Sequence, residues 1–98
     1  MKKSVYLSGP VSGLPRAKVV AAFSHARWKM RRQGYTRVIN PVELCQEHWN
    51  WWRCMAVCLW HLLPAHHIYM MKGWNKSRGA RIERVVARML GKRVMYEW

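Results

Sequence analysis

At 98 residues the chain has room for one hydrophobic core, so a single domain over 1–98 is predicted. Apolar residues make up 51% of it, which excludes an intrinsically disordered chain. Eighteen Lys and Arg against four Glu and no Asp give a charge of +14, a field that attracts polyanions or anionic substrates without choosing between them.

Lys2 and Lys3 open the chain, but Ser8, Gly9 and Pro10 interrupt any signal-peptide core. A soluble cytoplasmic protein is therefore expected. Ser4–Ser8 (SVYLS) reads as a buried strand, and 9–15 (GPVSGLP) as a turn-rich loop. Over 17–33, Val19, Val20, Phe23, Ala26 and Met30 recur at helical spacing, with Lys and Arg on the other faces and Gly34 as cap. Arg37–Ile39 is a second strand, stopped by Asn40 and Pro41; a polar connection with Glu43 and Glu47 follows. A second helix is predicted over 49–63, ended by Pro64. Its apolar stretch, 54–63, contains His61 and has about half of the ~20 residues that cross a membrane. No membrane span is expected. Next come a strand over 67–71, a loop over 72–79 (KGWNKSRG) and a helix over 80–90. That helix should turn Ile82, Val85, Val86, Met89 and Leu90 inward, with Gly91 as cap. Arg93–Tyr96 is a fourth strand. The alternation predicts a flavodoxin-like three-layer sandwich: a four-stranded parallel sheet of order 2-1-3-4 with three main helices. Ligands bind such sheets beyond the carboxyl ends of the strands, near the switch between strands 1 and 3. This gathers the loops 9–15, 40–43 and 73–79.

Glu83 is the acid with the most specific setting. It lies inside a strong helical pattern, behind a loop carrying Gly and Ser. Its helical neighbours in space are Gly79, Ala80, Val86 and Ala87, none basic. Small residues leave room for a ligand to approach, and the helix N-terminus and basic surroundings are expected to keep the carboxylate ionised. An ionised carboxylate can attack a sugar anomeric carbon through an oxocarbenium-like transition state; a first-turn acid favoured by the helix dipole is the plainer reading. Gly9 and Gly13 could let backbone amides approach a ligand or form an ordinary turn, and the loop is neither a P-loop nor a dinucleotide fingerprint. Ser77 is expected to cap the last helix, and paired with Arg78 it could hold a phosphate.

The segments VYLSGPVSGLP, INPVEL and IYMMKGWNKSRGARIE resemble, in order, the nucleoside 2-deoxyribosyltransferase-like family, in particular its short phage and prophage branch. The resemblance implies a flavodoxin-like fold and cleavage or exchange of the N-glycosidic bond of a deoxyribonucleoside or its 5'-monophosphate. It makes Glu83 the nucleophile and Tyr6 the aromatic that orients the glutamate or sugar. It makes the loop 9–13 the lining of the sugar and, in hydrolases, the phosphate. The expected substrate site comprises Gly9, Pro10, Gly13, Asn40, Trp74, Ser77, Arg78 and Gly79, and Trp74, in the loop before Ser77, is the candidate for stacking on the base. Family transferases carry an aspartate where this chain has Ser77; the monophosphate hydrolases carry a serine there that contacts phosphate, so Ser77 favours a nucleotide. Arg16, Lys76 and Arg78 agree with an anionic substrate. The family's base-protonating aspartate aligns with Cys58, which leaves that acid to His61, to a partner subunit, or missing. The alternatives are a catalytically impaired nucleotide-binding module and a basic phage protein that binds nucleic acid.

An odd count of three cysteines, Cys45, Cys54 and Cys58, argues against a disulfide framework. Cys54, Cys58 and His61 share a helix face that could hold zinc, with His48 or Cys45 as a fourth ligand. Core packing is the expected role, and no metal or cofactor is expected. Trp49, Trp51, Trp52 and Trp60 could stack on bases, but packing in the core or in a homo-oligomer through the second helix is expected instead. Arg81, Arg84, Arg88 and Lys92 form a basic stripe, expected to be a solvated outer face, where non-specific nucleic acid could also dock.

Overall fold

In the computed structural model, residues 4–11, 14–45 and 49–97 are described. The elements are β1 (Ser4–Ser8), α1 (Arg16–Arg32), β2 (Arg37–Ile39), α2 (Pro41–Leu44), α3 (Trp51–Leu62) and β3 (His67–Met70). A 3-10 turn (Trp74–Lys76), α4 (Arg78–Met89) and β4 (Arg93–Tyr96) complete them. The four strands are parallel, in the order β2-β1-β3-β4. This is the predicted 2-1-3-4 order of a flavodoxin-like, Rossmann-like sandwich.

Every residue of β1 is buried, as a central parallel strand requires. Its side chains alternate between the two faces of the sheet. Val5 and Leu7 join Val19, Phe23 and Met30 of α1. Tyr6 joins Cys58 and Leu62 of α3 and Ala80 and Ala87 of α4. So α1 covers one face and α3 with α4 the other. Phe23 and Leu62, at 1% and 0% exposure, each contribute roughly 1.5–3 kcal/mol by leaving water.

Polar caps set the helix starts. The Asn40 side chain accepts from the Val42 amide at 3.1 Å, with Pro41 in the first turn. The connection expected after β2 therefore contains a short helix. Asn50 accepts from the Arg53 amide at 2.8 Å, so α3 begins at Trp51 and not at 49. Ser77 accepts from the Ala80 amide at 3.3 Å and starts α4 two residues before the predicted position.

Two expectations are corrected. The inward face of α4 is Ala80, Glu83 and Ala87; Val85, Met89 and Leu90 are 51%, 81% and 49% exposed, and Ile82 and Val86 are half-buried. A helix lying close to a sheet needs small side chains at the contact, and two sheet hydroxyls satisfy the one acid between them. Cys45 and Cys54 form a disulfide, because α2 ends against the first turn of α3; Cys58 keeps a free thiol. Among the described residues, no helix is long and apolar enough to cross a membrane.

Candidate active site

Tyr6 and Ser8 are two residues apart on β1 and therefore point to the same face, toward α4. Both hydroxyls donate to Glu83: Ser8 Oγ to Oε1 at 2.6 Å, and the Tyr6 phenol to Oε2. Glu83 is 5% exposed. Ala80 and Ala87, one turn to either side of it, let α4 come near enough for these bonds. Among the described residues the partners of the carboxylate are hydroxyls, not cations.

Burial without a counter-ion sets the charge state. It pushes the Glu83 carboxyl up to about 7, against the hydrogen bonds from Ser8 and Tyr6 that pull it down. The expectation that the helix terminus and basic surroundings keep it ionised is thereby corrected: desolvation outweighs both, and near neutral pH the two forms coexist. Burial, reinforced by the charge of Glu83, holds the Tyr6 phenol well above its ordinary value, so Tyr6 stays a donor. Burial also pushes the Cys58 thiol up to about 11, against an interaction with Tyr6 that lowers it.

Glu83 lines a cavity of about 380 Å³, within the ~300–1,000 Å³ range of small-molecule sites. Gly9 and Arg16 line it from the side of β1 and α1, Trp51 and Met55 from α3, and Ser77 and Gly79 from the start of α4. Gly9 is required by packing: a Cβ there would stand 2.9 Å from the Cβ of Met71. At Gly79 a Cβ would come within 3.1 Å of Met55 Sδ, so the glycine keeps space between α3 and α4 beside the carboxylate.

Of the residues singled out in the sequence, Glu83, Gly9, Ser77 and Gly79 line this cavity, and Tyr6 stands behind Glu83. Ser77 is at once helix cap and cavity wall. Arg78 lies outside the lining, its guanidinium 4.1 Å from the ring centre of Trp51, which is in it. Asn40 is buried as the cap of α2. The ring of Pro10 packs at Gly73 instead. Trp74 is turned away, 5.6 Å from the ring of Tyr96 and 5.2 Å from the Arg84 guanidinium. Trp49 and Trp51 take the cavity position expected of Trp74. Gly13 and His48 lie outside the described residues. Ser8 is the residue the sequence reading misses; its signal is its position two after Tyr6 on one strand.

Fold and site together define a class: a parallel α/β domain with a buried, hydroxyl-held carboxylate in the wall of a ligand-sized cavity. Residues 3–96 match the family described as "Domain of unknown function (DUF4406)", and the chain belongs to that family. No curated protein and no solved structure matches the chain.

Proposed function

We propose that the protein cleaves or exchanges the N-glycosidic bond of a deoxyribonucleoside or, preferentially, its 5'-monophosphate, with Glu83 as nucleophile. One observation carries this reading: a buried carboxylate in a cavity wall, bound by two hydroxyl donors instead of a cation. A buried acid with a strongly displaced pKa in a cleft is a mark of reactive sites. In its ionised form one carboxylate oxygen attacks the anomeric carbon. The carbon–nitrogen bond breaks, and its electron pair leaves with the base. Water or a second base then attacks the same carbon and releases the carboxylate. Tyr6 and Ser8 fix the direction of the carboxylate throughout. Arg16 and the α4 N-terminus, where Ser77 lines the cavity, suit a 5'-phosphate. The rings of Trp49 and Trp51 suit the flat face of a base. Trp52 and Trp60, each 72% exposed on α3, are the surface through which a homo-oligomer would form.

A second reading, a nucleotide-binding module without turnover, is favoured by one observation. Cys58 lines the cavity where the family resemblance calls for a base-protonating acid, and a thiol held near 11 is a weak acid at neutral pH. The test is incubation with each of the common deoxynucleosides and their monophosphates, followed by chromatography for free base. The proposal expects base release by the wild type and none by Glu83→Gln. Calorimetric binding of a monophosphate with no base released would establish the binding module. Release undiminished by Glu83→Gln would refute the mechanism.

A further inference from the structure

We infer that the cysteines in the cavity wall form a redox-gated site for a thiophilic metal ion, Zn²⁺ by chemistry, with Cys45, Cys54 and Cys58 as its ligands. Three elements bring the sulfurs together. Cys45 ends α2, while Cys54 and Cys58 lie one turn apart on α3. All three Sγ atoms lie within 4.8 Å of one another. The Cys58 Sγ is 3.6 Å from that of Cys45 and 3.9 Å from that of Cys54. Thiolates bound tetrahedrally at ~2.3 Å stand about 3.8 Å apart, so both spacings already match the edges of a zinc site. Only the Cys45–Cys54 edge is shorter, because those sulfurs share a disulfide.

The disulfide makes the site conditional. A dithiol reductant breaks the Cys45–Cys54 bond and is itself oxidised to a disulfide, while Cys45 and Cys54 each gain a hydrogen. The three thiols then exchange their protons for three bonds to one ion. A disulfide oxidant reverses this by exchange: it takes up the two electrons and becomes a dithiol, Cys45 and Cys54 form the bridge, the ion leaves, and Cys58 takes up a proton. Cys45, Cys54 and Cys58 all line the cavity, so the ion's fourth position faces the space beside Glu83 and takes a ligand from it. Three protein ligands and one open position are the arrangement of reactive zinc, whereas purely structural sites are closed. His61, the histidine on this helix, is not among the groups whose ligand atoms cluster with the three sulfurs. The inference stands independently of the glycosidic reading.

The experiment uses the full chain, reduced with dithiothreitol and freed of reductant without air. Co²⁺ serves as the spectroscopic stand-in for Zn²⁺. The expected result is one equivalent bound, with the intense near-ultraviolet thiolate-to-cobalt absorption. The same titration on air-oxidised protein should show no such absorption. Cys58→Ser should weaken binding at least tenfold, and His61→Ala should leave it unchanged. The wild type gives a second readout that needs no variant to fold. The chain has three cysteines, so alkylation followed by intact mass should add three groups to the reduced apo-protein and none to the Zn²⁺-loaded form. The inference is overturned if reduced protein shows no thiolate–cobalt band, if Zn²⁺ protects no thiol, or if the disulfide form binds equally well.

Discussion

Substituting Gln for Glu83 keeps the shape of the side chain and removes its titration. The Gln amide can still accept from one hydroxyl and donate to the other, since hydroxyls rotate to suit. In the wild type the carboxyl titrates near 7 when folded, against an ordinary 4.5. The folded state therefore binds this proton more tightly than the unfolded chain does. The resulting stabilisation is complete below pH 4.5 and is lost as pH rises through about 7. At ~1.36 kcal/mol per pH unit the full swing is roughly 3 kcal/mol, most of it falling between pH 5 and pH 8. Urea unfolding of both proteins at these two pH values measures it, because every other titrating group cancels in the difference. Relative to Glu83→Gln, the wild type should lose roughly 2–3 kcal/mol between pH 5 and pH 8. Parallel pH dependence of the two proteins would refute desolvation as the dominant influence. A relative gain for the wild type with rising pH would mean that a cation holds the carboxylate.

Tyr6→Phe and Ser8→Ala each remove a hydrogen bond that pulls the carboxyl down, so each should move the acid limb of the pH–rate profile further above neutrality. Each should also cost roughly 1.5–3 kcal/mol at pH 8, read by the same urea titration. Gly9→Ala should cost roughly 1–3 kcal/mol in thermal unfolding through overpacking, since its Cβ would stand 2.9 Å from that of Met71. Trp52→Ser combined with Trp60→Ser should lower the sedimenting mass to that of one chain while the circular dichroism stays the same. A wild type that already sediments as one chain, or a mass unchanged by the two substitutions, would refute an interface on α3.

The elements that were legible in the sequence are those whose periodicity reports burial directly. The apolar run of Val5, Tyr6 and Leu7 inside β1 marks a central parallel strand, and Val19, Phe23, Ala26 and Met30 of α1 are buried as their spacing implies, whereas Val20, placed on the same face by that spacing, is exposed. In α4 the same logic points to the wrong face, because a hydrophobic pattern counts greasy area and not the close approach that Ala80 and Ala87 permit. What turns Glu83 inward is a pair of hydroxyls more than seventy residues away in sequence, and no local window holds them. Glu83 itself could be found from its unpaired setting, whereas its charge state could not, since desolvation depends on the assembled layers. Trp74 is close to Ser77 in sequence but turns toward β4, whereas Trp49 and Trp51 come from a segment distant in sequence and line the cavity. The Cys45–Cys54 bridge likewise depends on how α2 meets α3, which the spacing of three cysteines does not encode.

The central claim is that Glu83 forms a bond to the sugar. It is tested most directly by acid-quenching the protein during turnover of a deoxynucleoside monophosphate and mapping the peptides by mass spectrometry. The expected result is a deoxyribosyl-phosphate ester on the peptide bearing Glu83, absent from Glu83→Gln. Base released at full rate with that peptide unmodified, or with the sugar carried on another residue, would contradict it.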